Sequence, residues 1–148
     1  MKPSTAIERA LLFVDTWGWI VLADALDPRH DEAVALRRRH TESGILVTKD
    51  YVPDGTFTRL FGGSPYAEAE RFCSVVLRAR DAGMLRVESI TADRLARAYK
   101  LRLGYKDKPR ISFTDLTSFV VMTALGIGDV LTADAHFALV QMSFRTAP

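Results

Sequence analysis

The sequence predicts an α/β fold in which helices are layered on a mainly parallel central sheet. Short apolar runs of β-rich composition alternate with helical patterns along the chain, and no internal repeat or low-complexity tract interrupts them. This alternation is typical of parallel sheets. The chain has 148 residues and is 48% hydrophobic, which is enough to bury a core. We therefore expect residues 1–148 to form a single domain.

Five segments have the composition of short strands. They cover residues 11–14, 45–48, 85–87, 129–132 and a terminal edge segment, 143–146. Gly44 introduces the second segment, and a break at Ala82 and Gly83 precedes the third. Continuous apolar runs bounded by such residues indicate strands that are buried on both faces of the sheet.

Helical patterns fill the intervals between these segments. Their ranges are 30–39, 65–82, 91–104 and 112–125, and residues 56–61 also continue as a helical pattern. Pro65 favours a helix start and Thr91 is a typical N-cap residue. Gly126 is expected to end the most apolar helix. The clearest predicted loop is 104–110, which contains Pro109.

Composition and charge narrow the classes of function. The net charge is +2 and the sequence pI is about 8.8, which permits a nucleic-acid partner without requiring one. A single cysteine, Cys73, excludes an internal disulfide and a cysteine-rich zinc site. No segment resembles a membrane-spanning helix or a secretory leader. We expect a cytoplasmic protein that does not contact a membrane.

Three aspartates occupy positions that favour a metal site. Asp15 and Asp134 follow the first and fourth predicted strands, and Asp115 lies early in the most apolar helix. Ligands of parallel α/β sheets bind beyond the carboxyl ends of the strands, so these acids would converge if the two strands are neighbours. Converging carboxylates repel one another unless a cation, typically Mg²⁺ or Mn²⁺, neutralises them. Such an ion can promote phosphodiester hydrolysis.

Each acid also has a structural interpretation. Ser112 and Asp115 have the spacing of a capping box, with aspartate in place of glutamate. Asp134 could cap the turn that follows it. A capping role is least expected for Asp15, because this residue follows an apolar strand and precedes Trp17. The combination of the three acids favours a functional site.

The residues around these acids resemble the PIN-domain family, and most of all the VapC-type toxins of toxin–antitoxin systems. The resemblance is carried by Val14-Asp15-Thr16, Ser112-Phe113-Thr114-Asp115 and the segment 131–137. It covers nearly the whole chain and implies a PIN-like three-layer α/β/α sandwich. It also implies a Mg²⁺-dependent (or Mn²⁺-dependent) endoribonuclease in which Asp15, Asp115 and Asp134 are the catalytic metal ligands. Hydrolysis by this family leaves a 3′-hydroxyl and a 5′-phosphate.

One acid of the family pattern is missing from this chain. The family has a glutamate after the second strand, in a run resembling Asp-Tyr-Val-Leu-Asp-Glu-Thr, whereas residues 50–56 place Gly55 at that position. Asp54 is a poor substitute, because adjacent helical residues point about 100° apart. Gly55 is either a natural variant or an introduced Glu→Gly change that disarms a toxic nuclease. Both explanations predict weakened metal binding and catalysis.

The resemblance implies an RNA substrate, a cognate antitoxin that covers the acidic cleft, and a homodimer. A basic stretch leads into Asp115 and could steer RNA phosphates, although a solvated helix face explains it equally well. Its candidate RNA-binding residues are Arg97, Lys100, Lys106, Lys108 and Arg110. Ser112 and Thr114 could bond to water or to a metal-bound carboxylate.

Two alternatives remain open at the level of sequence. A non-catalytic PIN-like module that binds RNA or protein is compatible with Gly55. A small phosphatase or another magnesium hydrolase uses similar carboxylates, but the chain lacks an obvious nucleophile motif. Trp17 and Trp19 could stack on exposed bases, although such residues after a core strand more often pack in the interior.

Overall fold

A computed structural model describes residues 11–43, 45–132 and 145–147, of which residues 41–43 and 145–147 are described by their backbone. These residues form five strands: β1 (Leu12–Val14), β2 (Leu46–Lys49), β3 (Leu85–Glu88), β4 (Asp129–Leu131) and β5 (Arg145–Ala147). They also form six helices: α1 (Thr16–Ala23), α2 (His30–Ser43), α3 (Tyr51–Gly63), α4 (Tyr66–Asp81), α5 (Ala92–Gly104) and α6 (Phe113–Leu125).

The strands form one parallel sheet with the order β3-β2-β1-β4-β5. Strand β1 lies at its centre, where Phe13 is opposite both Val47 of β2 and Val130 of β4. The condition for convergence of the predicted acids is therefore met, because the first and fourth strands are neighbours. The carboxyl ends of β1, β2 and β4 share one edge of the sheet.

Two apolar clusters cover opposite faces of the sheet. Successive residues of a strand point to opposite faces, and Phe13 accordingly packs in one cluster with Phe119 of α6. Val14 packs in the other cluster, together with Trp19 of α1 and Val76 of α4. Helices α5 and α6 thus form one outer layer, and α1, α2 and α4 contribute to the other. The three-layer α/β/α prediction is confirmed.

Helix α1 is an element that the sequence analysis did not predict. It follows β1 without a loop and packs closely on β4, where a Cβ atom at Gly18 would lie 2.2 Å from the backbone oxygen of Leu131. Glycine is therefore required at this position by the close approach of the two backbones. This packing brings the start of α1 to the carboxyl edge of the sheet.

Two further boundaries differ from the predictions. Helix α3 begins at Tyr51 and includes Pro53, which is tolerated because backbone N–H groups in the first turn have no helical partner. Strand β5 is described at Arg145–Ala147, which overlaps the predicted segment 143–146 and extends one residue beyond it, while residues 143 and 144 lie outside the described residues. Helix α6 ends at Gly126 as expected, since this residue has a left-handed φ of 68°. Among the described residues, no helix is sufficiently long and apolar to cross a bilayer.

Candidate active site

Asp15 is fixed at the junction of β1, α1 and β4. It is 6% exposed, and its Oδ1 accepts a hydrogen bond from the backbone N–H of Gly18 at 2.8 Å. Its Oδ2 accepts a hydrogen bond from the hydroxyl of Thr132, which follows β4. The expectation that Asp15 does not cap a helix was wrong, because the apolar strand runs directly into α1 and Asp15 is its N-cap.

Asp115 is held at the start of α6 by a capping box with Ser112. The backbone N–H of Asp115 donates to Ser112 Oγ at 3.1 Å, and the Ser112 N–H donates to Asp115 Oδ2 at 3.4 Å. The structural interpretation of this spacing is therefore confirmed. The capping geometry leaves Asp115 9% exposed at the same edge of the sheet as Asp15.

Asp15 and Asp115 line one cavity of about 150 Å³. The other residues that line it are Thr16, Trp17, Val52, Ser112, Thr114 and Ser118. Two of the three predicted acids and both predicted hydroxyl residues are thus brought together from the β1–α1 junction and the start of α6. A larger cavity of about 240 Å³ has a mainly apolar lining that includes Leu22, Phe72 and Val75, and it contains neither acid.

The third predicted acid, Asp134, lies outside the described residues. Within residues 11–43, 45–132 and 145–147, no three histidine, cysteine, aspartate or glutamate side chains come together as a metal-binding group. The oxygen donors of Asp15 and Asp115 are nevertheless of the hard type that Mg²⁺ and Mn²⁺ prefer. Two buried carboxylates on one cavity therefore fit a divalent cation.

Gly55 is an exposed residue of α3. It is one helical turn after Val52, which lines the cavity, and residues with this spacing share a helix face. A Cβ atom at Gly55 would have no neighbour within 4 Å. A side chain could therefore begin at this position without a clash at its Cβ atom.

Lys49 is a component of the site that the sequence analysis did not single out. It is the last residue of β2 and is 0% exposed. Its ammonium group donates to the backbone carbonyl of Thr114 and to the hydroxyl of Thr117, both in α6. Burial lowers the pKa of Lys49 to about 7, although the negative charges of Asp115, Asp15 and Asp50 raise it. The sequence signal was a charged residue directly after the predicted strand segment 45–48, which is mainly apolar.

The two tryptophans have different environments. Trp19 is buried, and its indole N–H donates to Thr48 Oγ1 at 3.4 Å. Trp17 lines the cavity, is 39% exposed, and has the guanidinium carbon of Arg59 at 4.2 Å from its ring centroid. Arg59 is a second residue that the sequence analysis missed. Together, Trp17 and Arg59 place an aromatic surface and a cation beside the acids.

The five candidate RNA-binding residues of the basic stretch before α6 differ in whether their charges are paired. Arg97 forms an ion pair with Asp93 at 2.8 Å, and Lys108 forms one with Asp107 at 2.9 Å. The remaining candidates for RNA binding are exposed: Lys100, Lys106 and Arg110. Arg102, in contrast, has a structural role, since its guanidinium donates to backbone carbonyls of the loop before α6.

Comparisons with known proteins place the chain in a class. No protein-family model matches it. It is 30% identical over 128 residues to the 23S rRNA-specific endonuclease VapC20 of Mycobacterium tuberculosis, covering 86% of this chain and 92% of VapC20. The crystal structure of VapC20, a sarcin-ricin loop cleaving toxin, has a TM-score of 0.72 and 30% identity, over 86% of this chain and 93% of that one.

A second solved structure shares the fold. The crystal structure of VapBC2 from Rickettsia felis, bound to a DNA fragment from its promoter, has a TM-score of 0.74 at 11% identity. The match covers 93% of this chain and 99% of that one. The parallel sheet, its helical layers and the acids at its carboxyl edge define a PIN-type protein. The chain belongs to the VapC family of toxin endoribonucleases.

Proposed function

We propose that this chain is the toxin of a toxin–antitoxin pair and hydrolyses RNA at the cavity between β1 and α6. The observation that carries this proposal is the convergence of two buried carboxylates, Asp15 and Asp115, on one cavity. Membership of the VapC family supports RNA as the substrate. We include Asp134 as the third acid of the site, because it follows β4, the neighbour of β1.

Mg²⁺ or Mn²⁺ is the proposed cofactor, with Asp15, Asp115 and Asp134 as its protein ligands. When bound, such an ion supplies an activated water and stabilises negative charge on the phosphodiester. The protein holds Asp15 through the Gly18 N–H and the Thr132 hydroxyl, and it holds Asp115 through Ser112. These bonds orient the carboxylates before any ligand arrives, which favours catalysis.

The hydroxyl residues and the basic residues have supporting roles in this proposal. Ser112 orients Asp115, and Thr114 contributes its hydroxyl to the cavity wall. We expect the five basic candidates of the stretch before α6 to contribute unequally to RNA binding. The exposed side chains of Lys100, Lys106 and Arg110 should contribute more than Arg97 and Lys108, whose charges are paired. VapC20 is named for 23S rRNA, which makes this RNA the first substrate to test.

The proposed partners are a cognate antitoxin and a second copy of the chain. An exposed apolar stripe on α5 supports an interaction surface, since Leu95, Tyr99 and Leu103 recur every four residues and are 45%, 56% and 50% exposed. Exposed apolar residues on one helix face are typical of a surface that pairs with another protein. We also propose a cytoplasmic location. A solution mass measurement tests the homodimer.

The decisive experiment compares the chain with its Gly55→Glu variant. Both proteins are incubated with 23S rRNA, with Mg²⁺ or with EDTA. We expect Gly55→Glu to cleave at least about tenfold faster, which corresponds to about 1.4 kcal/mol of transition-state stabilisation. The matched control is the Asp15→Asn/Gly55→Glu double variant, which retains a helix cap but lacks one carboxylate and should be inactive.

The same experiment separates the alternatives. Cleavage that persists in EDTA would reject the metal-dependent mechanism. If folded Gly55→Glu binds RNA without any gain in cleavage, the chain is better described as a non-catalytic PIN-like module that binds RNA or protein. Gly55 and the buried Lys49 are the observations that favour this second function.

A further inference from the structure

Lys49 is the charged residue of the site to which the proposed function assigns no role. Lysine is almost never fully buried unless its charge is paired, because an ammonium group loses much solvation in the interior. Lys49 is 0% exposed, and its ammonium group donates hydrogen bonds to neutral oxygens of Thr114 and Thr117. Its charge must therefore be balanced by carboxylates that lie close by.

The carboxylates that act on Lys49 are those of the candidate active site. Lys49 donates to the carbonyl of Thr114, the residue directly before Asp115, and the negative charges of Asp115, Asp15 and Asp50 raise the pKa of Lys49 against the effect of burial. The β1–β2 register has Phe13 opposite Val47, and the same register continued by two residues would have Asp15 opposite Lys49. Asp50 is exposed, and both of its oxygens accept the N–H of Ile90 at 3.3 Å. The buried balancing charges are therefore Asp15 and Asp115.

We propose that the Lys49 ammonium is a resident cation of the active site, which balances Asp15 and Asp115 from the buried side and weakens divalent-cation binding at the cavity. This inference rests on the proposed function only in taking the cavity as the metal site. The proposal connects two features of the chain. Gly55 stands where the family pattern has a negatively charged glutamate, and Lys49 supplies a positive charge. Both features make the site less attractive to a divalent ion.

The electrostatic reasoning predicts two linked effects. A buried unit charge acts strongly on its neighbours because little solvent screens it. Without the Lys49 charge, Asp15 and Asp115 would repel each other in a metal-free protein, and a divalent ion would become their main counter-charge. Loss of the charge should therefore tighten metal binding and make the folded state more dependent on metal.

The test uses Lys49→Gln and Lys49→Met in the full chain. Glutamine retains a hydrogen-bond donor for α6, and methionine retains the apolar stem without charge. Mn²⁺ affinity is measured by calorimetry and by electron paramagnetic resonance, and thermal unfolding is recorded in EDTA and in saturating Mn²⁺. We expect both variants to bind Mn²⁺ about tenfold or more tightly than the unaltered chain. Mn²⁺ should also raise their Tm by more than it raises that of the unaltered chain.

The matched control is Arg71→Gln, which removes one exposed positive charge from α4. It should leave Mn²⁺ affinity unchanged, since exposed charges are screened. Equal Mn²⁺ affinity in the unaltered chain and in folded Lys49→Gln or Lys49→Met would overturn the proposal. If Lys49→Gln and Lys49→Met are both unfolded in EDTA, refolding on addition of Mn²⁺ would support the proposal, and failure to refold would contradict it. A large rise in the Tm of the unaltered chain on addition of Mn²⁺ would also contradict it.

These measurements need no RNA. They can therefore reject the resident-cation proposal without rejecting the ribonuclease proposal, and the reverse also holds. Tighter Mn²⁺ binding in Lys49→Gln, with no cleavage by Gly55→Glu, would retain the resident cation and reject the ribonuclease activity. Cleavage by Gly55→Glu, with unchanged Mn²⁺ binding in Lys49→Gln, would retain the ribonuclease and reject the resident cation.

Discussion

The start of α1 and the second turn of α3 are both positions of acids in the family pattern, but they differ in how strongly the fold depends on them. At the first, Asp15 caps α1 and accepts a hydrogen bond from Thr132. At the second, Gly55 is exposed, and an added Cβ would have no neighbour within 4 Å. Asp115 resembles Asp15, because it completes the capping box of α6. The acids that this chain has at the cavity also stabilise helices, whereas the position that lacks its acid has no such role.

The largest effect should follow from removal of Asp15. Asp15→Ala removes an N-cap, which contributes about 1 kcal/mol, and a buried acceptor, whose loss contributes a further 1–3 kcal/mol or so. We expect a total decrease of about 3 kcal/mol in the free energy of unfolding. Asp15→Asn should lose about half as much, since asparagine also caps helices. Urea-induced unfolding measures the free energy of unfolding of the unaltered chain, of Asp15→Ala and of Asp15→Asn.

The control for this prediction is Asp54→Ala, which removes an exposed carboxylate from the first turn of α3. It should change the free energy of unfolding by about 0.5 kcal/mol or less. If Asp15→Ala is no more destabilising than Asp54→Ala, the capping role of Asp15 is wrong, and so is the contrast between the two regions.

A smaller effect of opposite sign is expected at Gly55. Gly55→Ala should stabilise the protein by about 0.5–1 kcal/mol, because alanine is the better helix former and the site offers open space. Gly62→Ala is the matched control, since Gly62 lies in the last turn of the same helix and is equally open. Its gain should be smaller because helix ends fray. A loss of stability in Gly55→Ala would show that α3 needs glycine there.

The smallest effects on stability should come from the basic stretch, where RNA binding is the better measurement. Lys106→Ala should lower the slope of log affinity against log salt by about 0.7–0.9, the value for one lost phosphate contact. Arg97→Ala should lower it less, because Asp93 already pairs with this guanidinium. Both variants should stay within about 0.5 kcal/mol of the unaltered chain in stability. A larger slope change in Arg97→Ala would invert the proposed ranking.

Much of the fold could be predicted from local patterns. The predicted helix at 91–104 corresponds to α5, which a cap and amphipathic spacing mark, and the one at 112–125 corresponds to α6, which has a cap signal at each end. Helix α1 was missed for the opposite reason. It is apolar on nearly all sides, so no periodicity separates it from the strand before it. Its N-cap, Asp15, was consequently interpreted as the end of a strand alone.

The candidate site was predictable only in part. The topology of a parallel sheet was sufficient to predict that Asp15 and Asp115 lie close together, and the cavity that both residues line agrees with this prediction. Asp134 stays a prediction, because it lies outside the described residues. Lys49 could not be ranked from sequence, since a charge at the end of a strand is usually exposed. Its burial depends on α6, whose Thr117 is 68 positions away in the chain.

The sequence by itself determined the order of the strands and of every helix except α1, the positions of the acids at their ends and the glycine at position 55. These features are local, because caps, periodicity and residue type act over a few residues. Tertiary structure alone decided that α1 packs on β4, that Lys49 points beneath α6 and that Arg97 is already paired. These features depend on which strands and helices are neighbours in space, and a buried charge takes its effect from partners that local sequence does not specify.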